Sequence, residues 1–191
     1  AAQHPILLQP QDAAKGWNGV ITLNAPHSTW TYVTVQNYYG IKHGTWHMTG
    51  GVVFYRSDFN FDHVHLTNDH CEDEINVIHS NFVIDHSLIE NSLSDAFDSD
   101  FSHGIIKNTQ FVNIGGVSGG DAMDVSGTDL TTDNVTATHV RDKGVSVGEE
   151  SHVQLNNMVL TDVNEGIASK DGSVTFANNI TIESARYFGL M

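Results

Sequence analysis

Asp98, Asp100 and Asp124 are the residues of this chain with the clearest chemical potential. Asp98 and Asp124 hold equivalent places in two neighbouring repeats of one extended pattern, and Asp100 follows Asp98 by two. On a pleated strand, residues two apart share a face about 6.8 Å apart, and stacked strands lie about 4.8 Å apart. Three carboxyls so crowded raise at least one pKa unless a cation or guanidinium neutralises them. The triangle is therefore an acid/base pair or a cation site. Glycoside hydrolysis needs one carboxyl to protonate the leaving oxygen and a second to activate water or attack carbon, across roughly 5 to 9.5 Å. Asp98 and Asp124 fit as acid and base, Asp100 as a ligand to water or metal, and His103 as a proton partner. Asn76, Asp95 and Asp121, with the cations Arg56 and Lys143, would line the same face and hold substrate. Aspartates at strand starts also serve as turn formers, which is the plainer role for Asp73, Asp95 and Asp121.

Histidine offers a second chemistry. Ten of the twelve histidines precede Asn108. His43 and His47 fall in an insertion, Gly40-Ile41-Lys42-His43-Gly44-Thr45-Trp46-His47, and His70 takes the matching turn one repeat later. With Asp73 beside them, these imidazoles would suit Zn²⁺, Cu²⁺, Fe²⁺ or Mn²⁺, while the carboxylates alone would suit Ca²⁺. Nothing in the sequence calls for an organic cofactor. His63 and His86 are better placed as members of a turn ladder than as metal ligands. Trp17, Trp30, Trp46, Tyr32, Tyr38 and Tyr39 crowd the amino-terminal part, where they either pack the first coil or stack on sugar rings.

The elements that must position these side chains repeat. Gly51, Asp73, Asp95, Asp121, Lys143 and Glu165 begin successive units at intervals of 22, 22, 26, 22 and 22 residues. Two further columns, His63, His86, Asn108, Asn134, Asn157, Asn179 and Asn68, Asn91, Asn113, His139, Asp162, Ser184, keep step to within one residue. A fixed period of this size is the mark of a solenoid. Inside each unit apolar residues alternate, as in Ile75 and Val77 or Val145 and Val147, and Val, Ile, Thr and Phe fill the runs between turn residues. No stretch sustains a helical period. The asparagine columns predict a ladder at which each coil bends, its amides bonding coils above and below and capping buried backbone. The long step comes from Gly115-Gly116-Val117-Ser118-Gly119-Gly120, a loop beside the acidic face that could wall a substrate.

The expected fold is all-β, parallel strands stacked as coils of about 22 residues. It resembles the right-handed parallel β-helix of the pectate-lyase-like class over residues 17–191, with residues 1–16 as an amino-terminal cap. Ser94-Asp95-Ala96-Phe97-Asp98-Ser99-Asp100-Phe101-Ser102 and Gly120-Asp121-Ala122-Met123-Asp124-Val125-Ser126-Gly127 are similar to β-helix segments attached to bacterial CotH-type surface proteins. β-Helix pectinases resemble this chain in aspartates on one exposed sheet near a His-Gly pair, here His103-Gly104, although their Asn-Thr-Asp and Asp-Asp motifs are absent. The resemblance implies a polysaccharide partner and an extracellular or cell-surface address. β-Helix lyases hold Ca²⁺ with aspartates and use a basic residue to take a proton. Arg56, Lys143 and Lys170 would be the bases or counter-charges here. The other class implied is a structural or adhesive module that binds cations and stacks end to end, as a homo-oligomer or within a larger parent chain.

Composition narrows the partners. A formal charge of -15 with eight Lys and Arg disfavours nucleic acid and anionic membranes. The single cysteine, Cys71, cannot form an intrachain disulfide and is expected as a buried apolar side chain. No run of eighteen apolar residues predicts a transmembrane segment, and no signal peptide is visible, although Ala1-Ala2-Gln3 would suit a mature terminus. Phe188-Gly189-Leu190-Met191 reads as the start of another coil.

Overall fold

Short runs of β-branched and aromatic residues, interrupted every few positions by Asn, His, Asp or Gly, can satisfy their backbone only by pairing with neighbouring runs. The computed structural model describes residues 4–116 and 119–191, with His43 described by its backbone alone. Among these residues there is no helix, and eighteen strands join one continuous parallel sheet that winds as a solenoid. Parallel crossovers of this kind are right-handed in nearly all cases.

Each coil contributes three faces. The first carries Val20–Leu23, Gly50–Tyr55, Asp73–Ile78, Asp95–Asp100 and Asp124–Ser126, paired in that order. The second carries Ser28–Thr31, Phe59–Asp62, Asn81–Asp85 and His103–Lys107. The third carries Val33–Gln36, His65–Thr67, Leu88–Ser92 and Gln110–Ile114. The later coils run through Asp129–Gly148 and His152–Ser169, each continuing from the second face through the third to the next first-face position with a register shift between Val140 and Lys143, while Val174–Glu183 extends the second and third faces. Ile6–Leu8, placed by the sequence in a cap, pairs in parallel with Val33–Val35 and so extends the third face.

The corners explain the asparagine columns. Every non-glycine residue at the corner between the second and third faces, from Tyr32 and His63 through Asn108, Asn134, Asn157 and Asn179, has φ between 46° and 61°, and so do Asn68, Asn91, Asn113, His139, Asp162 and Ser184 at the next. Left-handed backbone is several-fold enriched in Asn, Asp and His. The ladder does not cap buried backbone, contrary to the expectation. Its amides are largely exposed and bond one another, Asn134 Nδ2 donating to Asn108 Oδ1 at 2.9 Å and Asn179 Nδ2 to Asn157 Oδ1 at 2.7 Å. Buried backbone is capped instead by hydroxyls just past the other corner. The N–H of Ser57 donates to Ser80 Oγ, Ser80 to Ser102 Oγ, Ser102 to Thr128 Oγ1, Thr128 to Ser151 Oγ and Ser151 to Ser173 Oγ, at 2.9 to 3.2 Å.

The core runs through the middle as a column. Phe54, Phe59, Phe61, Phe82 and Phe97 stack in its amino-terminal half, and Val125, Leu130, Val145, Leu155 and Met158 fill the rest. Trp30 joins this column against Phe61 at 4.9 Å, and Tyr38 is fully buried, so both pack the first coils as the sequence allowed. Cys71 is buried beside Tyr38, accepting the same apolar role. The insertion forms an antiparallel hairpin, Ile41–His43 against Trp46–Met48, whose two-residue turn opens with Gly44 at φ 63°.

Candidate active site on the first face

Alternation along the first face sends Val52, Ile75 and Phe97 into the core and the intervening residues outward. The outward column reads Val53, Asn76, Asp98, Asp124, Ser146 in register, and the next reads Tyr55, Ile78, Asp100, Ser126, Gly148. Asp98 thus sits directly beside Asp124 on the adjacent strand, with Asp100 two residues along. Asp98 and Asp124 are half-buried, but Asn76 and Ser146, expected to be exposed, are buried.

One register differs from the expectation. Gly50, not Gly51, pairs with Asp73, so Tyr55 faces Ile78 and Arg56 leaves the sheet for the corner at φ 48°. The inward pairs Val52 with Ile75 and Phe54 with Val77 fix this phase, because a slip by one would turn apolar side chains outward. Arg56 lies over the Tyr55 ring and lines a hollow with Asn24, Pro26, Asp58 and His79.

Electrostatics separate the carboxyls. Burial, followed by the charges of Asp73, Asp100, Asp124 and Asp95, pushes Asp98 up to about 9. Asn76 Nδ2 donates to Asp98 Oδ2 at 2.7 Å, which fixes the carboxyl's orientation. Asp100 is raised by burial, then by Asp124 and Glu149, with His79 opposing. Burial also lifts Asp73 to about 7, Asp121 to about 7 and Asp95 to about 6. Asp95 and Asp121 accept backbone N–H groups, but from the next coil rather than two residues on: Asp121 N–H to Asp95 Oδ1 at 2.8 Å and Lys143 N–H to Asp121 Oδ1 at 2.7 Å. Lys143 Nζ lies 2.7 Å from Asp142 Oδ2 and 3.5 Å from Asp121 Oδ1, so its charge is spent at the rim. Asp73 Oδ2 is buried without a hydrogen-bond partner.

Two walls flank the face. Trp46, 53% exposed on the hairpin, meets Leu23, Met48, Tyr55 and Ile78 around an apolar hollow of 360 Å³, in the column that continues to Asp100. Phe101, also exposed, stacks on His79 at the neighbouring corner. Behind the hairpin, His47 and His70 line one cleft of 530 Å³ with Lys42, Glu72 and Ser94, and His70 stacks on Tyr39. The side chain of His43 lies outside the described residues, as do Val117 and Ser118 of the glycine loop. At that loop's end, Gly120 passes so near Ser94 that a Cβ would stand 2.2 Å from the Ser94 carbonyl oxygen.

His103 is not brought to the carboxyls. It opens the second face, where its Nε2 lies 3.2 Å from Asp129 Oδ2. Among the described residues the group of three metal-capable side chains with ligand atoms within 4.8 Å of one another is Asp62, His63 and His86, on the asparagine corner and not on this face. Sequence reading missed Glu74, which is fully buried and accepts from Tyr38 Oη at 2.9 Å and from Ser92 Oγ. Nothing local marks it, since its neighbours Asp73 and Ile75 follow the repeat. The hydroxyl ladder was legible, because Ser57, Ser80, Ser102, Thr128, Ser151 and Ser173 step with the other columns.

No helix of the described residues is long and apolar enough to cross a membrane. No family model matches the chain, and no curated protein matches it. Among solved structures, the chain is similar to the crystal structure of an alginate lyase from Paenibacillus sp. str. FPU-7, at 10% identity and a TM-score of 0.48, covering 99% of this chain and 85% of that one.

Proposed function

We propose that the first face binds a polysaccharide and cleaves it by acid/base chemistry at Asp98 and Asp124. The observation that carries this reading is the in-register pair itself, with Asp98 oriented by Asn76 and held protonated at neutral pH beside a second carboxyl. A carboxylic acid kept protonated can donate where an ordinary aspartate cannot. In hydrolysis, Asp98 gives its proton to the glycosidic oxygen as the bond to the anomeric carbon breaks, and Asp124 takes a proton from the attacking water. Asp100 orients that water. Trp46 and Tyr55 supply apolar ring faces for the C–H side of a sugar, a few residues along the same sheet. Asp95, Asp121 and Lys143 act as the rim of the site, and Arg56 reaches substrate only from the corner. A divalent cation is part of the proposal at the carboxylates, where Ca²⁺ would sit; His47, His70 and Asp73, expected with His43 to hold a transition ion, are not brought within 4.8 Å of one another as a ligand group among the described residues. An extracellular or cell-surface setting goes with a polymer too large to enter cells.

The test is a panel of neutral and uronate polysaccharides with product analysis. New reducing ends indicate hydrolysis, and unsaturated ends absorbing in the near ultraviolet indicate elimination. Asp98→Asn and Asp124→Asn should each abolish product formation while polymer binding persists. Full activity in both variants would end the proposal.

A further inference from the structure

We infer that Asp62, His63 and His86 form a binding site for a divalent transition ion of the Zn²⁺ and Cu²⁺ class, clipping two adjacent coils together. The site is independent of the carboxyl face and lies at a different corner of the coil.

The geometry starts from the backbone. His63 and His86 occupy the same left-handed corner one coil apart, at φ 54° and 46°, and their rings stack at 5.0 Å with planes 13° apart. The Tyr32 ring also lies against His63, its centroid 4.7 Å away and its plane tilted by 30°. Parallel rings direct both Nδ1 atoms to one side. There, Asp62 Oδ1 lies 2.9 Å from His63 Nδ1 and 3.5 Å from His86 Nδ1.

The three ligand atoms lie within 4.8 Å of one another, and the 2.9 Å contact between Asp62 and His63 is a hydrogen bond that an ion would replace after small side-chain rotations. Donor atoms held about 2.0–2.1 Å from a tetrahedral Zn²⁺ stand about 3.3 Å apart, and imidazole with carboxylate is a suitable donor set for such ions. Asp85 Oδ1 also lies 2.9 Å from His86 Nδ1, but Asp85 is engaged by Asn108 Nδ2 at 2.9 Å and Lys107 Nζ at 3.0 Å. Asp85 has these other partners to keep, so the ion would take over His86 Nδ1 from Asp85 without stranding the carboxylate. All three ligands are about half exposed, so an ion can reach them.

The same column shows what a ladder without metal looks like. From Asn108 onward the corner residue is an amide, which donates to the carboxylate or amide of the preceding coil. An amide serves that role fully and does not hold a transition ion. Imidazoles appear in two successive coils with a shared carboxylate between them, which is the arrangement a bridging ion needs.

The column also supplies a clean test. Asparagine already stands at this corner in later coils and tolerates its backbone, so His63→Asn and His86→Asn should fold normally by circular dichroism. The full chain, freed of metal and titrated calorimetrically with Zn²⁺ alone, should bind one saturable equivalent. Either single variant should weaken that binding at least tenfold, and the double variant should lose it. Zn²⁺ should raise the melting temperature of the parent chain and leave the double variant unmoved, since an ion bound only by the folded state stabilises it. A His47→Asn/His70→Asn variant should keep the binding. No saturable Zn²⁺ binding, binding retained within twofold by the double variant, or binding lost with His47 and His70 instead, would each overturn the assignment.

Discussion

The acidic face and the asparagine corner are built from the same device, polar side chains repeated one coil apart, and they differ in what stands between the charges. On the first face Asp98 and Asp124 are direct neighbours, and Asp98 has a neutral amide for partner. At the corner Asp62 is met by His63 and His86, and Asp85 by His86, Lys107 and Asn108. The consequences are opposite. Asp98 is pushed up by burial and like charge, whereas Asp85, despite some burial, is lowered by its hydrogen bonds and by Lys107 and His86. Spacing is fixed by the solenoid in both places, so the sign of the shift is decided by partner and depth. Perturbed carboxyls of the first kind gather at functional sites, and paired ones of the second kind hold coils in register.

The sharpest way to break the comparison is substitution on each side of it. Asp98→Asn should lower polysaccharide turnover at least about a hundredfold, the usual contribution of a general acid. Asp85→Asn should leave turnover within about twofold, measured as initial rates on the same polymer. Equal losses would mean that the first face is not special.

Stability separates the buried hydroxyl ladder from the exposed amide ladder. Ser102→Ala removes the acceptor of the buried Ser80 N–H and should cost about 1–3 kcal/mol in denaturant unfolding. Asn134→Ala loses an exposed bond and a residue suited to left-handed backbone, with an expected cost of about 1–2 kcal/mol. Asn134→Gly should cost less than Asn134→Ala, because glycine takes φ 54° without strain.

The pH dependence is read by its sign. A carboxyl whose folded pKa is raised binds its proton more tightly in the folded state, so its contribution is full below the unfolded value and is lost as pH rises through the folded one. With Asp95 at about 6, Asp73 and Asp121 at about 7 and Asp98 at about 9, the melting temperature should fall as pH climbs from about 4 to about 9. Asp98→Asn should make that slope shallower across the whole range and nearly abolish it above about 7, where Asp98 alone still holds its extra proton. For catalysis the sign is the same, since activity that needs the Asp98 proton declines above about 9.

Much of this molecule is readable without coordinates. Three columns in step, at Asp73, His63 and Asn68 and their successors, name a solenoid because each coil meets only its neighbours and must repeat their geometry. Alternation in Ile75-Asn76-Val77 then says which residues face outward, and so pairs Asp98 with Asp124 before any contact is known. Arg56 and His103 were harder. A single residue of slip separates a sheet position from a corner, and the phase is set by core side chains such as Val52 and Phe54 pairing with Ile75 and Val77.

The sequence by itself determined the fold, the coil period and the neighbours along each column, because those follow from local periodicity and from backbone that only certain residues tolerate. Tertiary structure alone decided depth and partnership. It sank Asn76 beside Asp98, set the Ile41–Met48 hairpin's Trp46 on the same hollow as Tyr55, turned His103 onto the next face, and buried Glu74 beside Tyr38. Desolvation and charge act through space over a few ångströms, across residues about 20 or more apart in the chain, and a one-dimensional pattern carries no record of that distance.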